Sequence, residues 1–177
     1  MLREEDFNEE YLLSVAKKMA VAARTAPKAR GTDNLVIRIC SGEEIKQISG
    51  QLIKDYEQTN QTEQFLLRDS QNILSAPYIL LIATKNKVLG LNCGYCGFST
   101  CAEKNQTNKS VPCFFNSEDL GLAIGSAVSV AADSRVDSRV MFSAGRAAAR
   151  LNMTDNCIQC LAISLCATAK NPFFDRK

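Results

Sequence analysis

Cys93, Cys96 and Cys101 stand together in the segment LNCGYCGFSTC, residues 91–101, with the spacing C-x2-C-x4-C, and Cys113 follows in the step VPC. Four thiolates at tight-then-wider spacing can wrap a compact metal centre, and the short C-x2-C step turns two sulfurs inward from one turn. Gly94 and Gly97 free the backbone to take positive φ and to aim N–H groups at sulfur, where such contacts spread negative charge and tune a reduction potential. Iron–sulfur ligation is the reading this spacing favours. Zinc is the alternative, although structural zinc sites usually bring two short knuckles from separate arms, whereas here three ligands crowd into one loop; unligated thiols are the third reading.

The remaining composition narrows the chemistry. The chain of 177 residues holds eight cysteines and no histidine, which excludes imidazole general bases, His–metal sites and Ser-His-Asp or Cys-His pairs. No catalytic residue stands out. The formal net charge of +2, from 21 Lys and Arg against 19 Asp and Glu, gives no electrostatic case for nucleic acid. The acidic start MLREEDFNEEYLLS carries no apolar export segment, and no apolar run reaches membrane-spanning length. The expectation is a cytoplasmic protein with reduced thiols and no membrane partner. The length suits one domain, residues 1–177, that can bury a core without disulfides.

These cysteines need a scaffold, and apolar periodicity outlines one. An amphipathic helix is expected from about Glu9 to Ala23, with Leu12, Val15 and Met19 on one face. LVIRIC (35–40) reads as a strand; Ser41 with Glu44 then forms a capping box for a helix with Ile45, Ile48, Leu52 and Tyr56 inside. A helix over 62–74 stops before Pro77, and YILLIAT (78–84) reads as a strand covered on both faces. The pattern is lost from 85 to 116, a long segment that needs something to order it and is read as an inserted cluster loop. Ser117 offers an N-cap for a buried central helix with Leu120, Ile124, Ala127, Val128 and Ala131 as its stripe, and Gly121 and Gly125 are expected to let a neighbour approach closely. SAGRAAARL (143–151) reads as a helix and CIQCLAISL (157–165) as a last interior strand, so the order gives an α+β domain.

Other features have structural readings. Arg24, Lys28 and Arg30 place three cations in one short segment; they suit a phosphate group, or equally the dipole at a helix C-terminus. Lys170 and Arg176 are read as solvated tail charges. Cys40, Cys157, Cys160 and Cys166 suit core packing rather than a second cluster, and a strand would send Cys157 and Cys160 to opposite faces. The arginines of SRVDSRVMFSAGRAAAR are expected to pair with Asp133 and Asp137 on a solvated face.

The loop resembles the small [4Fe–4S] module of corrinoid iron–sulfur proteins and related electron-transfer subunits of anaerobes, whose motif also runs N-C-G-x-C-G-x-x-x-C. The match covers Asn92 to Cys101; the fourth cysteine of that module usually stands further off than Cys113, which leaves a three-iron cluster or an outside fourth ligand open. AVAARTAPKARGTDNLVIRIC resembles the start of a nitroreductase-fold protein, where a helix ends in an A-A-x-x-A-P-S segment that contacts flavin. DLGLAIGSAVSVAADS resembles the buried central helix of that fold. With AISLCATAKNPFFDR, these segments are similar to a family of ferredoxin-domain proteins from archaea and anaerobic bacteria. The resemblance implies a nitroreductase-like sheet packed by helices, with the Cys-rich loop inserted at 85–116. The serine of A-P-S is Lys28 here, and the Asn and Gln of flavin-binding relatives correspond to Gly31 and Asp33.

Three functions follow as expectations. The first is one-electron transfer, ferredoxin-like, through a [4Fe–4S] cluster on Cys93, Cys96, Cys101 and Cys113, to a redox partner protein that the sequence does not identify. The second is an oxidoreductase whose cluster feeds FMN near Arg24, Lys28 and Arg30; by the nitroreductase likeness that pocket would lie at a homodimer interface. The third is a zinc-stabilised binding module without redox activity.

Overall fold

The computed structural model describes residues 1–107 and 110–174; Arg176 lies outside them. Strand β2 (Tyr78–Thr84) is buried from Ile79 to Thr84 because it lies inside a four-stranded sheet of order β1-β2-β4-β3, with β1 (Leu35–Ser41), β3 (Asp137–Met141) and β4 (Gln159–Cys166). All three pairings are antiparallel, in the registers Cys40↔Ile79, Ala83↔Cys160 and Val140↔Ile163 among others. Alternation along β2 divides the core. Ile79, Leu81 and Ala83 join one apolar cluster, while Leu80 and Ile82 join another.

The first cluster is closed by α2 (Gly42–Gln58), α3 (Gln64–Asn72) and α6 (Phe142–Arg150), through Ile45, Ile48, Leu52, Leu66, Ala144 and Ala148. The second is closed by α1 (Glu4–Thr25) and the central helix α5 (Phe114–Asp133), through Val15, Met19, Ala123, Ile124 and Ala127. Helices on both faces of an open antiparallel sheet make an α+β layered fold. The box at the start of α2 forms as expected, with Ser41 N donating to Glu44 Oε2 at 2.9 Å.

Several expectations are corrected. Helix α5 begins a turn before Ser117, with Cys113 as its N-cap, because the Cys113 carbonyl accepts from Asn116 N at 3.1 Å and Ser117 N at 3.3 Å. Gly121 and Gly125 face open space on the outer side of α5, and the close approach occurs instead at Gly145, where a Cβ would stand 2.2 Å from the Cys160 carbonyl oxygen. Val128 is only partly buried. Residues 101–107 form a helix, α4 (Cys101–Thr107), inside the segment read as patternless. Within the arginine-rich stretch, β3 forms a sheet edge, and Arg139 crosses to the buried Asp69 at 3.2 Å rather than pairing with Asp133 or Asp137. Strand β4 starts at Gln159, so Cys157 precedes it and shares one core cluster with Cys160 instead of opposing it.

Candidate metal centre and its surroundings

The cysteine loop leaves β2 at Lys85 and is held at its root by polar side chains. Asn116 of α5 is fully buried; its Nδ2 donates to the Lys85 carbonyl at 2.9 Å and the Lys87 carbonyl at 2.7 Å, and its Oδ1 accepts from Asn34 Nδ2 at 3.1 Å. One buried amide thus ties two loop carbonyls to the central helix and to Asn34. On the next residue, Asn86 Oδ1 accepts from Cys113 N and from Lys104 Nζ, both at 3.3 Å, and Asn86 Nδ2 donates to the Val111 carbonyl at 3.3 Å. Sequence reasoning passed over both asparagines, since a lone Asn in an irregular segment reads as ordinary turn chemistry.

Local turns then place the sulfurs. Gly94 (φ 76°) and Gly97 (φ 86°) bracket a tight turn closed by Gly97 N donating to the Gly94 carbonyl at 2.9 Å, and Cys96 lies within it. Asn92 takes φ 48° and its Oδ1 accepts from Cys101 N at 2.8 Å, tying the first and third cysteines of the motif. Thr100 Oγ1 accepts from Glu103 N at 3.1 Å at the start of α4, which begins at Cys101. Cys113 sits at the N-terminal end of α5, the positive end of the helix dipole.

These devices bring Cys93, Cys96, Cys101 and Cys113 to the wall of one pocket, otherwise apolar through Leu89, Leu91, Phe98 and Phe115, with Lys104 also in its lining. Cys113 is buried and the other three are half-buried. Among the described residues, no three His, Cys, Asp or Glu side chains converge as they would around a single ion. A cluster is larger than an ion, and its ligand sulfurs stand apart around its faces. Four thiols around one pocket, with positive-φ glycines between them, fit such a group.

The three predicted cations occupy the segment between α1 and β1. Arg24 Nη1 pairs with Asp33 Oδ2 at 2.6 Å and donates to the Leu35 carbonyl at 3.1 Å. Burial pushes the Asp33 carboxyl up, but hydrogen bonds from Leu35 N and Arg24 outweigh it and hold the group below its ordinary value. Lys28 Nζ donates to the carbonyls of Arg24 at 2.6 Å and Ala26 at 2.7 Å, so it caps the end of α1. Arg30, at φ 56°, donates to the Leu89 carbonyl at 2.6 Å and so touches the cysteine loop. The segment is fixed to the central helix by Ala29 N donating to Asp119 Oδ1 at 2.9 Å. The predicted phosphate patch and the predicted cluster loop therefore adjoin.

The other four cysteines are buried in the sheet core. Burial pushes the Cys40 thiol up to about 11 and the Cys160 thiol up to about 12, and raises Cys157 and Cys166 as well. They remain neutral small hydrophobes at physiological pH.

A layered α+β scaffold of this topology is that of the nitroreductase fold. Among solved structures it is similar to a BluB-like flavoprotein from Clostridium difficile 630 (15% identity, TM-score 0.60, covering 89% of this chain and 81% of that one). It is also similar to an FMN-dependent nitroreductase from Mycobacterium smegmatis in complex with NADPH (10% identity, TM-score 0.60, 89% and 78% covered). At such identities the likeness is one of fold. A family of proteins described as "Uncharacterized protein containing a ferredoxin domain (DUF2148)" matches residues 109–176. An uncharacterized protein of Archaeoglobus fulgidus is 36% identical across 99% of this chain and 97% of its own length. The chain belongs to this ferredoxin-domain family.

Proposed function

We propose that the chain is an iron–sulfur redox protein that transfers single electrons. The observation that carries this reading is the convergence of Cys93, Cys96, Cys101 and Cys113 on one apolar pocket. A [4Fe–4S] cluster held there would supply a one-electron couple. The chain's own part is to hold and insulate it: Leu89, Leu91, Phe98 and Phe115 limit water on the pocket wall, and the half-exposed positions of Cys93, Cys96 and Cys101 bring the centre within reach of a partner's surface. Tyr95, which is 69% exposed, packs edge-on against Phe114 at 5.0 Å and gives that side an aromatic docking face for a redox partner protein. All eight cysteines are free thiols, which suits a reducing, cytoplasmic setting; no described helix is long and apolar enough to cross a membrane.

A second reading adds FMN beside the cluster. It is favoured by Arg30, which joins the cation segment to the cysteine loop through the Leu89 carbonyl. Arg24 and Lys28 then stand near the same place, though each already serves the chain through Asp33 and the end of α1. In this reading the outer strip of α5 around Gly121, Leu122 and Gly125, open in the chain described, would lie against a second copy.

The test is the visible spectrum of protein purified without oxygen, before and after dithionite, with iron, zinc, acid-labile sulfide and flavin analysis. A broad band that bleaches, with iron and sulfide together, is the expected result. Flavin in addition moves the second reading forward. Colourless protein carrying stoichiometric zinc overturns both.

A further inference from the structure

Lys104 is the outlier of the pocket. It lies on α4 one turn after Cys101, is 1% exposed, and heads the largest fully buried side chains, the rest of which are apolar. Its Nζ donates to a neutral partner, Asn86 Oδ1 at 3.3 Å, the oxygen that also accepts from Cys113 N. Among the described residues no carboxylate pairs with it. The nearest acid along its helix, Glu103, is exposed and its Oε2 accepts from Ser99 N at 3.1 Å instead. Two other buried charges of the fold are treated differently: Asp69 meets Arg68 and Arg139, and Asp55 meets Arg150, while the buried Asp119 accepts from the backbone of Ala29. An ammonium taken out of water without an anion is strongly unfavourable, so negative charge nearby is what would keep this side chain charged where it lies. The four cysteines that line the same pocket are the groups able to supply it.

We propose that Lys104 is the built-in countercharge of the four-cysteine pocket, offsetting the negative charge of the thiolate-bound cluster and raising its reduction potential. The inference rests on the iron–sulfur reading above. Reduction adds negative charge to the centre, and a fixed cation in a low-dielectric wall stabilises the reduced form more than the oxidised one. Lys104 also fixes Asn86, so it acts as a positioning residue at the root of the loop as well.

The experiment is an equilibrium redox titration of anaerobically purified wild type, K104M, K104Q and K104R, with iron and sulfide content and circular dichroism measured on each. K104M and K104Q should have lower potentials than wild type, with K104R restoring most of the difference. Loss of the cluster from folded K104M and K104Q, with retention in K104R, is the same result in stronger form. Unchanged potentials in cluster-replete K104M and K104Q overturn the proposal while leaving the iron–sulfur reading intact. A wild type without iron and sulfide overturns that reading and the proposal together. If neither neutral variant folds, reduced wild type labelled with 15N-lysine decides: nitrogen hyperfine coupling to the paramagnetic centre supports the countercharge, and its absence rejects it.

Discussion

Two groups of cysteines in this chain show how environment, rather than residue type, sets the chemistry of a thiol. Cys40, Cys157, Cys160 and Cys166 sit in the cluster beneath α2, α3 and α6, where burial raises every one of the four. Cys93, Cys96 and Cys101 stand half-buried on a loop whose shape comes from positive-φ turns and side-chain hydrogen bonds. The first group fills space that a methyl or hydroxyl could nearly fill. The second, with Cys113, lines the wall of one pocket. Position marks the difference: the loop set lies between β2 and the start of α5, and the core set lies on β1, on β4 and just before β4.

The widest separation between the two groups is expected on removing a sulfur. Cys96→Ala or Cys93→Ala should abolish the chromophore and bound iron, while Cys160→Ala should keep both and lose about 0.5–3 kcal/mol of stability. Iron analysis beside a denaturant titration reads both quantities. Full iron in Cys96→Ala would dissolve the distinction. Next in size, Asn116→Ala leaves the carbonyls of Lys85 and Lys87 and the Asn34 amide without their partner. The Asn34 amide is the buried one of these groups, and a buried polar group left unpaired costs about 1–3 kcal/mol. Hydrogen exchange should therefore quicken at the loop root, with the sheet core little changed locally. Gly145→Ala tests the core side, since the new Cβ would meet the Cys160 carbonyl at 2.2 Å. The forced separation of α6 from β4 should cost about 1–3 kcal/mol without touching iron content.

The legible parts of the sequence were those written in apolar periodicity. β2 falls on residues 78–84 as read, an unbroken apolar run of strand length, rich in Ile and Leu, that is covered on both faces. Helix α2 follows its capping box and its Ile45, Ile48, Leu52 stripe. β3 was not legible, since DSRVM is a short, polar edge held by its register with β4. Nor was α4, whose one buried residue is a lysine; a helix that points a charge inward gives no apolar signal. At the site, residue types and spacing nominated the four cysteines, and the structure gathers them in one pocket. Asn86, Asn116 and Lys104 were invisible because each acts through a contact distant in sequence. The cations were legible as a patch, but not as groups already engaged with Asp33, the end of α1 and the cysteine loop.

The smallest expected effect concerns pH and belongs to the core thiols. Cys40 and Cys160 lie at about 11 and about 12 in the folded chain because of burial, against an ordinary thiol value of 9.0 in the unfolded chain. A raised value means that the unfolded state gives up its protons first, so the stability contributed by these thiols is complete below the ordinary value and is lost as pH rises through the folded values. Denaturation midpoints should therefore fall progressively above about pH 9 in wild type. Cys160→Ala should flatten that decline, because the most strongly shifted thiol is gone. An alkaline decline as steep in Cys160→Ala as in wild type would mean that the most strongly shifted thiol of the sheet core does not carry the linkage, and would remove the burial of these thiols as the source of the contrast between the two groups.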